Sequence, residues 1–115
     1  MNEYFRRSEF ACNCGCGMST VDAELLQILT DVREHFDTPV IINSGNRCRV
    51  WNRAQGGNYA SFHMRSRAAD FVVVGVDAAQ VQDYLLDKYP GQYGIGSYPT
   101  FTHIDSRGYR ARWEG

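Results

Sequence analysis

The chain has 115 residues, of which 43% are hydrophobic, 13% aromatic and 22% charged. That is the composition of one globular domain and excludes a disordered chain, which is aromatic-poor and strongly charged. Twelve basic and thirteen acidic residues leave a net charge of −1, so no global field recruits nucleic acid or an anionic membrane. No apolar run approaches the roughly 20 residues of a membrane span; the longest, Phe71-Val72-Val73-Val74, is strand-sized. No apolar stretch follows Met1–Arg7, so no secretory signal is visible.

Residues 1–18 end in the turn-rich Cys14-Gly15-Cys16-Gly17 and are expected to wrap the surface without regular structure. Ser19 or Thr20 is expected to cap a helix, with Asp22 completing a capping box. Leu25, Ile28, Leu29, Val32 and Phe36 follow at helical spacing and give residues 20–36 one apolar face, stopped by Pro39. Val40-Ile41-Ile42 reads as a short buried strand ending in the turn signal Asn43-Ser44-Gly45. Residues 48–55 read as a short helix closed by Gly56-Gly57. Ala68 to Val74 is the strongest strand signal. Asp77 starts a second amphipathic helix with Val81, Tyr84 and Leu85 inward, ended by Pro90-Gly91. Tyr93 to Trp113 reads as two or three strands joined at Pro99 and at Ser106-Arg107-Gly108. The order predicts one small α+β domain over residues 1–115, an antiparallel-rich central sheet flanked by two main helices.

The basic set is lopsided, with eleven Arg and only Lys88. A planar guanidinium suits carboxylates and phosphates, which weakly favours an anionic ligand; compositional drift explains the bias equally well. Of the four cysteines, Cys12, Cys14 and Cys16 lie together and Cys48 lies apart. Their spacing is unlike the usual CxxC zinc knuckle, and residues two apart make strained disulfides. Free thiols, a disulfide from the cluster to Cys48, and a second metal site all stay open.

The three histidines differ in setting. His35 sits in the first helix beside Glu34 and reads as a surface residue. His63 lies where a loop runs into the strong strand, and Asp70 enters that strand between Ala68, Ala69, Phe71 and Val72. A carboxylate in so apolar a run needs a compensating charge. Arg65 or Arg67 would supply it as an ion pair, and a divalent metal would do so more completely. His103 and Asp105 share a face of one extended strand. Two histidines and a carboxylate form a known catalytic zinc set, with the fourth position left to water whose pKa zinc lowers to about 7.

Ser61-x-His63-x6-Asp70, followed downstream by His103, resembles the zinc site of the D-alanyl-D-alanine carboxypeptidase and L-alanyl-D-glutamate endopeptidase family, relatives of the lysostaphin-type peptidases and the hedgehog domain. Ser44-Gly45-Asn46-Arg47 resembles the family's Ser-Gly-Tyr-Arg turn, and Asn52 and Gly56-Gly57 follow at its spacing. Ser8-Glu9-Phe10-Ala11-Cys12 resembles the Ser-Glu-Phe segment of its small phage and bacterial members. Gly94-Ile95-Gly96-x-Tyr98 leads into Phe101-x-His103-x-Asp105-x-Arg107 as in those members. The resemblance covers nearly the whole chain. It implies one zinc per chain on His63, Asp70 and His103, and Arg47 holding a substrate carboxylate or carbonyl. It also implies Ser61 hydrogen-bonding the substrate or its own loop.

Two positions depart from the family pattern. Ser66 replaces the glycine before Ala-x-Asp, which bears on the loop's backbone. Thr100 stands where many relatives carry a carboxylate as general base, and Thr cannot take a proton from water at neutral pH. Asp105 then has two open roles: general base, or acceptor orienting the His103 imidazole. The resemblance implies a zinc peptidase acting on peptidoglycan stem peptides, a monomer without nucleic-acid or membrane partners. It would be made in the cytoplasm and reach the wall after phage-type release, or be the trimmed domain of an exported enzyme. A non-catalytic zinc-bearing binding module, or a phage structural component of the same fold, is the alternative.

Overall fold

The computed structural model describes residues 1–57 and 61–115. Helix α1 (Ala23–Phe36) starts directly after Asp22, whose carboxylate accepts the Leu25 N–H at 3.1 Å. The cap expected at Ser19 or Thr20 therefore falls at Asp22. The Thr20 hydroxyl instead meets Ser66 Oγ at 2.5 Å, tying the approach to α1 onto a distant loop. Strand β1 (Val40–Ser44), helix α2 (Arg49–Ala54), strand β2 (Ala68–Val73) and helix α3 (Ala78–Lys88) follow where their residue patterns place them. The last stretch resolves into three strands, β3 (Gly94–Ser97), β4 (Thr102–Asp105) and β5 (Ala111–Glu114).

The five strands form one sheet in the order β1-β2-β4-β3-β5. Every pairing is antiparallel except β3 with β5, which is parallel. This is the expected α+β architecture. Alternation along β2 sorts the faces: Ala69, Phe71 and Val73 are buried in one cluster with Leu25, Ile28, Leu29 and Val32 of α1 and Val81 and Leu85 of α3. Asp70 has the opposite parity and points away from that cluster. Across the sheet it stands in register with His103 on β4, Gly96 on β3 and Trp113 on β5.

The N-terminal segment is more than a surface wrap. It holds a short 3-10 turn (Arg7–Phe10), and Phe5 and Phe10 are fully buried in the main cluster. Burial of one such side chain stabilises by roughly 1.5–3 kcal/mol, so this segment is part of the core. The buried Asn46 side chain fastens it, donating to the carbonyls of Phe10 at 2.8 Å and Thr20 at 2.7 Å. Among the described residues no helix is long and apolar enough to cross a membrane.

Candidate metal centre

Ser61 opens a 3-10 turn (Phe62–Arg65), its hydroxyl accepting the His63 N–H at 3.2 Å. The turn ends at Ser66, in the left-handed region with φ 61°. Glycine takes that conformation without a Cβ penalty, which explains the family's glycine there. Here the Ser66 hydroxyl is held at both sides, donating to Asn46 Oδ1 at 2.8 Å and meeting the Thr20 hydroxyl. The turn buries His63 and aims it at β2.

Three side chains converge there. His63 Nε2 lies 3.4 Å and His103 Nδ1 2.8 Å from Asp70 Oδ1, and one ligand atom from each residue lies within 4.8 Å of the others. The outward nitrogen of each ring is engaged. His63 Nδ1 lies 2.7 Å from the Gly45 carbonyl, an acceptor only, so Nδ1 donates there and Nε2 is the nitrogen that faces Asp70. His103 Nε2 lies 2.7 Å from Asp105 Oδ2. Asp105 is fully buried, and Arg107 grips both its oxygens at 2.7 Å while the Gly94 N–H donates at 3.1 Å.

Charge accounts for the titration of these groups. Burial alone would raise the Asp70 carboxyl, but hydrogen bonds from His103 and His63 outweigh it and hold Asp70 well below the usual carboxylate range. Burial works likewise against Asp105, and the bonds from Arg107 and His103 hold it low. For His103, burial favours the neutral ring, yet contacts with Asp105 and Asp70 push its pKa above the ordinary value. The His103 ring lies between two carboxylates, a setting that favours positive charge at this point.

The three residues open into a cavity of about 550 Å³ lined also by Arg47, Ser61, Arg107 and the rings of Phe62, Tyr98, Tyr109 and Trp113. Arg47 Nη2 reaches Asp70 Oδ2 at 3.4 Å, with Ser44 Oγ 3.3 Å from Nε and Asn52 Oδ1 3.4 Å from Nη1. Thr100 is exposed on the β3–β4 connection and lines a separate small hollow beside Phe71 and Val81. Among the described residues the carboxylates lining the main cavity are Asp70 and Asp105. His35 is exposed, stacked on Tyr84 with ring centroids 3.8 Å apart.

Sequence reasoning gave no role to Arg107 or Trp113. Arg107 lies over the rings of Phe62 at 4.5 Å and Trp113 at 5.2 Å while bonding Asp105. The Trp113 ring lies 5.0 Å from that of His103, its Nε1 donating to the Tyr98 hydroxyl at 3.0 Å. The period-two run His103, Asp105, Arg107 carried the signal for the arginine; for Trp113, reached through the β3–β5 pairing, no local signal exists.

Two imidazoles and a carboxylate, converging at a cavity wall with the outward nitrogens engaged, are donors of the types that hydrolytic zinc sites use and could hold a metal ion. The Peptidase M15 family model matches residues 3–105, and the chain belongs to that family of metallopeptidases. Arg107 and Trp113 lie beyond the matched residues. No curated protein matches the chain.

Proposed function

We propose that this chain is a zinc-dependent peptidase hydrolysing peptide bonds in peptidoglycan stem peptides, with one zinc at this site held by His63 Nε2, Asp70 and His103 Nδ1. The carrying observation is that each of these rings already has its other nitrogen bound, His63 to the Gly45 carbonyl and His103 to Asp105. Zinc there would supply Lewis-acid polarisation of a carbonyl and acidification of water. The chain's own groups do the positioning. The Gly45 carbonyl fixes the His63 tautomer, Asp105 fixes the His103 ring, and Arg107 fixes Asp105. Arg47, on the cavity wall, offers a planar fork of donors to a substrate carboxylate or carbonyl. Ser61 serves the turn that presents His63. The peptidoglycan substrate rests on the family membership and on the resemblance to its carboxypeptidases and endopeptidases.

Incubating the purified protein with peptidoglycan and measuring newly freed amino groups tests this reading. Release is expected with zinc and is lost with a chelator. His63→Ala loses bound metal and activity together, whereas His35→Ala changes neither. One observation favours a non-catalytic binding module: Asp70 and Asp105 both have their oxygens engaged, so neither offers a free base. Zinc binding and peptidoglycan retention without amine release would establish that second reading.

A further inference from the structure

The four cysteines gather on the far side of the Arg47 turn. Cys12, Cys14, Cys16 and Cys48 each place Sγ within 4.8 Å of the other three, and all four are free thiols. Sγ of Cys14 lies 3.4 Å from that of Cys12 and 3.5 Å from that of Cys48. Tetrahedral zinc with Zn–S bonds of about 2.3 Å requires sulfur–sulfur separations of about 3.8 Å. Two of the separations fall a few tenths of an ångström short of that value, and every pair lies within 4.8 Å.

The local backbone is shaped for this gathering. Gly15 and Gly17 take φ 84° and 89°, in the turn that brings the sulfurs of Cys12, Cys14 and Cys16 together. The loop is closed by Cys12 N–H to the Met18 carbonyl at 2.7 Å and Gly15 N–H to the Cys12 carbonyl at 3.1 Å. Two backbone donors already point at sulfur: Cys48 N–H at Cys12 Sγ and Trp51 N–H at Cys48 Sγ, both at 3.4 Å. Such N–H···S contacts are the outer support expected around a thiolate ligand. A pair of disulfides fits poorly, because any such pairing of three cysteines spaced two apart with one distant cysteine leaves a bridge inside the short loop.

We propose that Cys12, Cys14, Cys16 and Cys48 form a second, four-thiolate site for a soft divalent cation, zinc by its chemistry. Binding would release the four thiol protons and leave no open coordination position, so the site is structural and not catalytic. It would staple the N-terminal segment to the residue after Arg47. Burial opposes ionisation of Cys12, but hydrogen bonds from Cys48 and Cys14 bring its thiol down to about 7. Hydrogen bonds to Cys12 and Cys16 push the neighbouring Cys14 thiol up to about 12.

The test is metal stoichiometry with cobalt as a spectroscopic probe, on the whole chain purified under reducing conditions with added zinc. Wild type is expected to carry two zinc ions per chain, and His63→Ala one. Cobalt-substituted His63→Ala should keep the thiolate-to-cobalt charge-transfer band of a tetrathiolate site, and Cys14→Ser should lose it. Both Cys14 and Cys16 are exposed, so their serine variants leave the packed interior untouched. A single zinc in wild type, with no charge-transfer band and four thiols freely titratable in excess zinc, overturns the proposal while leaving the histidine site standing. Two zinc ions in Cys14→Ser would overturn it equally.

Discussion

Asp105 sits between the ring it orients and the arginine that grips it, so its substitution separates positioning from proton transfer. Asp105→Asn keeps the shape but loses the charge that faces both His103 Nε2 and Arg107. Zinc affinity is expected to fall about 10–100-fold, as for other partners of metal-bound histidine. With zinc saturating, kcat should recover most of its wild-type value. A loss of about a hundredfold at full zinc occupancy would make Asp105 the general base instead. Arg47 is tested by comparing its lysine and alanine variants. Lysine keeps a positive charge beside Asp70, so Tm and zinc content should stay close to wild type. It cannot reproduce two parallel N–H donors, and kcat/KM should fall nearly as far as in Arg47→Ala. Recovery of activity by Lys would remove Arg47 from substrate binding. At this scale the convergence of His63, Asp70 and His103 was legible through the family motif, while the cost of a carboxylate inside an apolar strand is local information that singled out Asp70 alone. The choice between the two roles of Asp105 was not, since it depends on Arg107 folding back onto the same carboxylate.

The elements show how a sheet face becomes a site. Asp70, His103, Gly96 and Trp113 lie in one row across four strands, and the glycine leaves the space that Trp113 fills. A Cβ on Gly96 would stand 2.5 Å from Trp113 Nε1, closer than any real contact allows. Gly96→Ala should push the indole off His103 and cost about 1–3 kcal/mol by overpacking. A thermal melt and the change in tryptophan fluorescence on adding metal measure both effects. An unchanged melt, with fluorescence still responding to metal, would show that the Trp113 ring is not packed there. The helices and β2 were readable from periodicity, because each carries its own apolar stripe. The burial of Phe5 and Phe10 was not, since a segment without periodicity gives no sign of which residues face the core. Nor was the start of α1, where Asp22 outcompetes Ser19 and Thr20 because Thr20 is drawn to Ser66.

Across the whole molecule, stability should follow the titration of Asp70, Asp105 and His103. Asp70 and Asp105 titrate below their unfolded values, so their contribution is complete above about pH 4 and is lost as the pH falls further. His103 titrates above its unfolded value, so its contribution is complete below about pH 6.5 and is lost as the pH rises through its folded pKa. Stability from this triad is therefore greatest between about pH 4 and about pH 6.5. Cys12, brought down to about 7, acts in the opposite sense in alkaline solution, so the histidine contribution is read as the Tm difference between wild type and His103→Asn in chelator. That difference should shrink as the pH is raised above about 6.5. Adding zinc reverses the trend, because the metal competes with the proton for His103 Nδ1 and binds more tightly as the proton leaves. Zinc-loaded and metal-free melting curves should thus diverge with rising pH. A wild-type advantage that keeps growing through neutral pH in chelator would mean that His103 is neutral in the metal-free protein and that its two carboxylate contacts do not hold a proton.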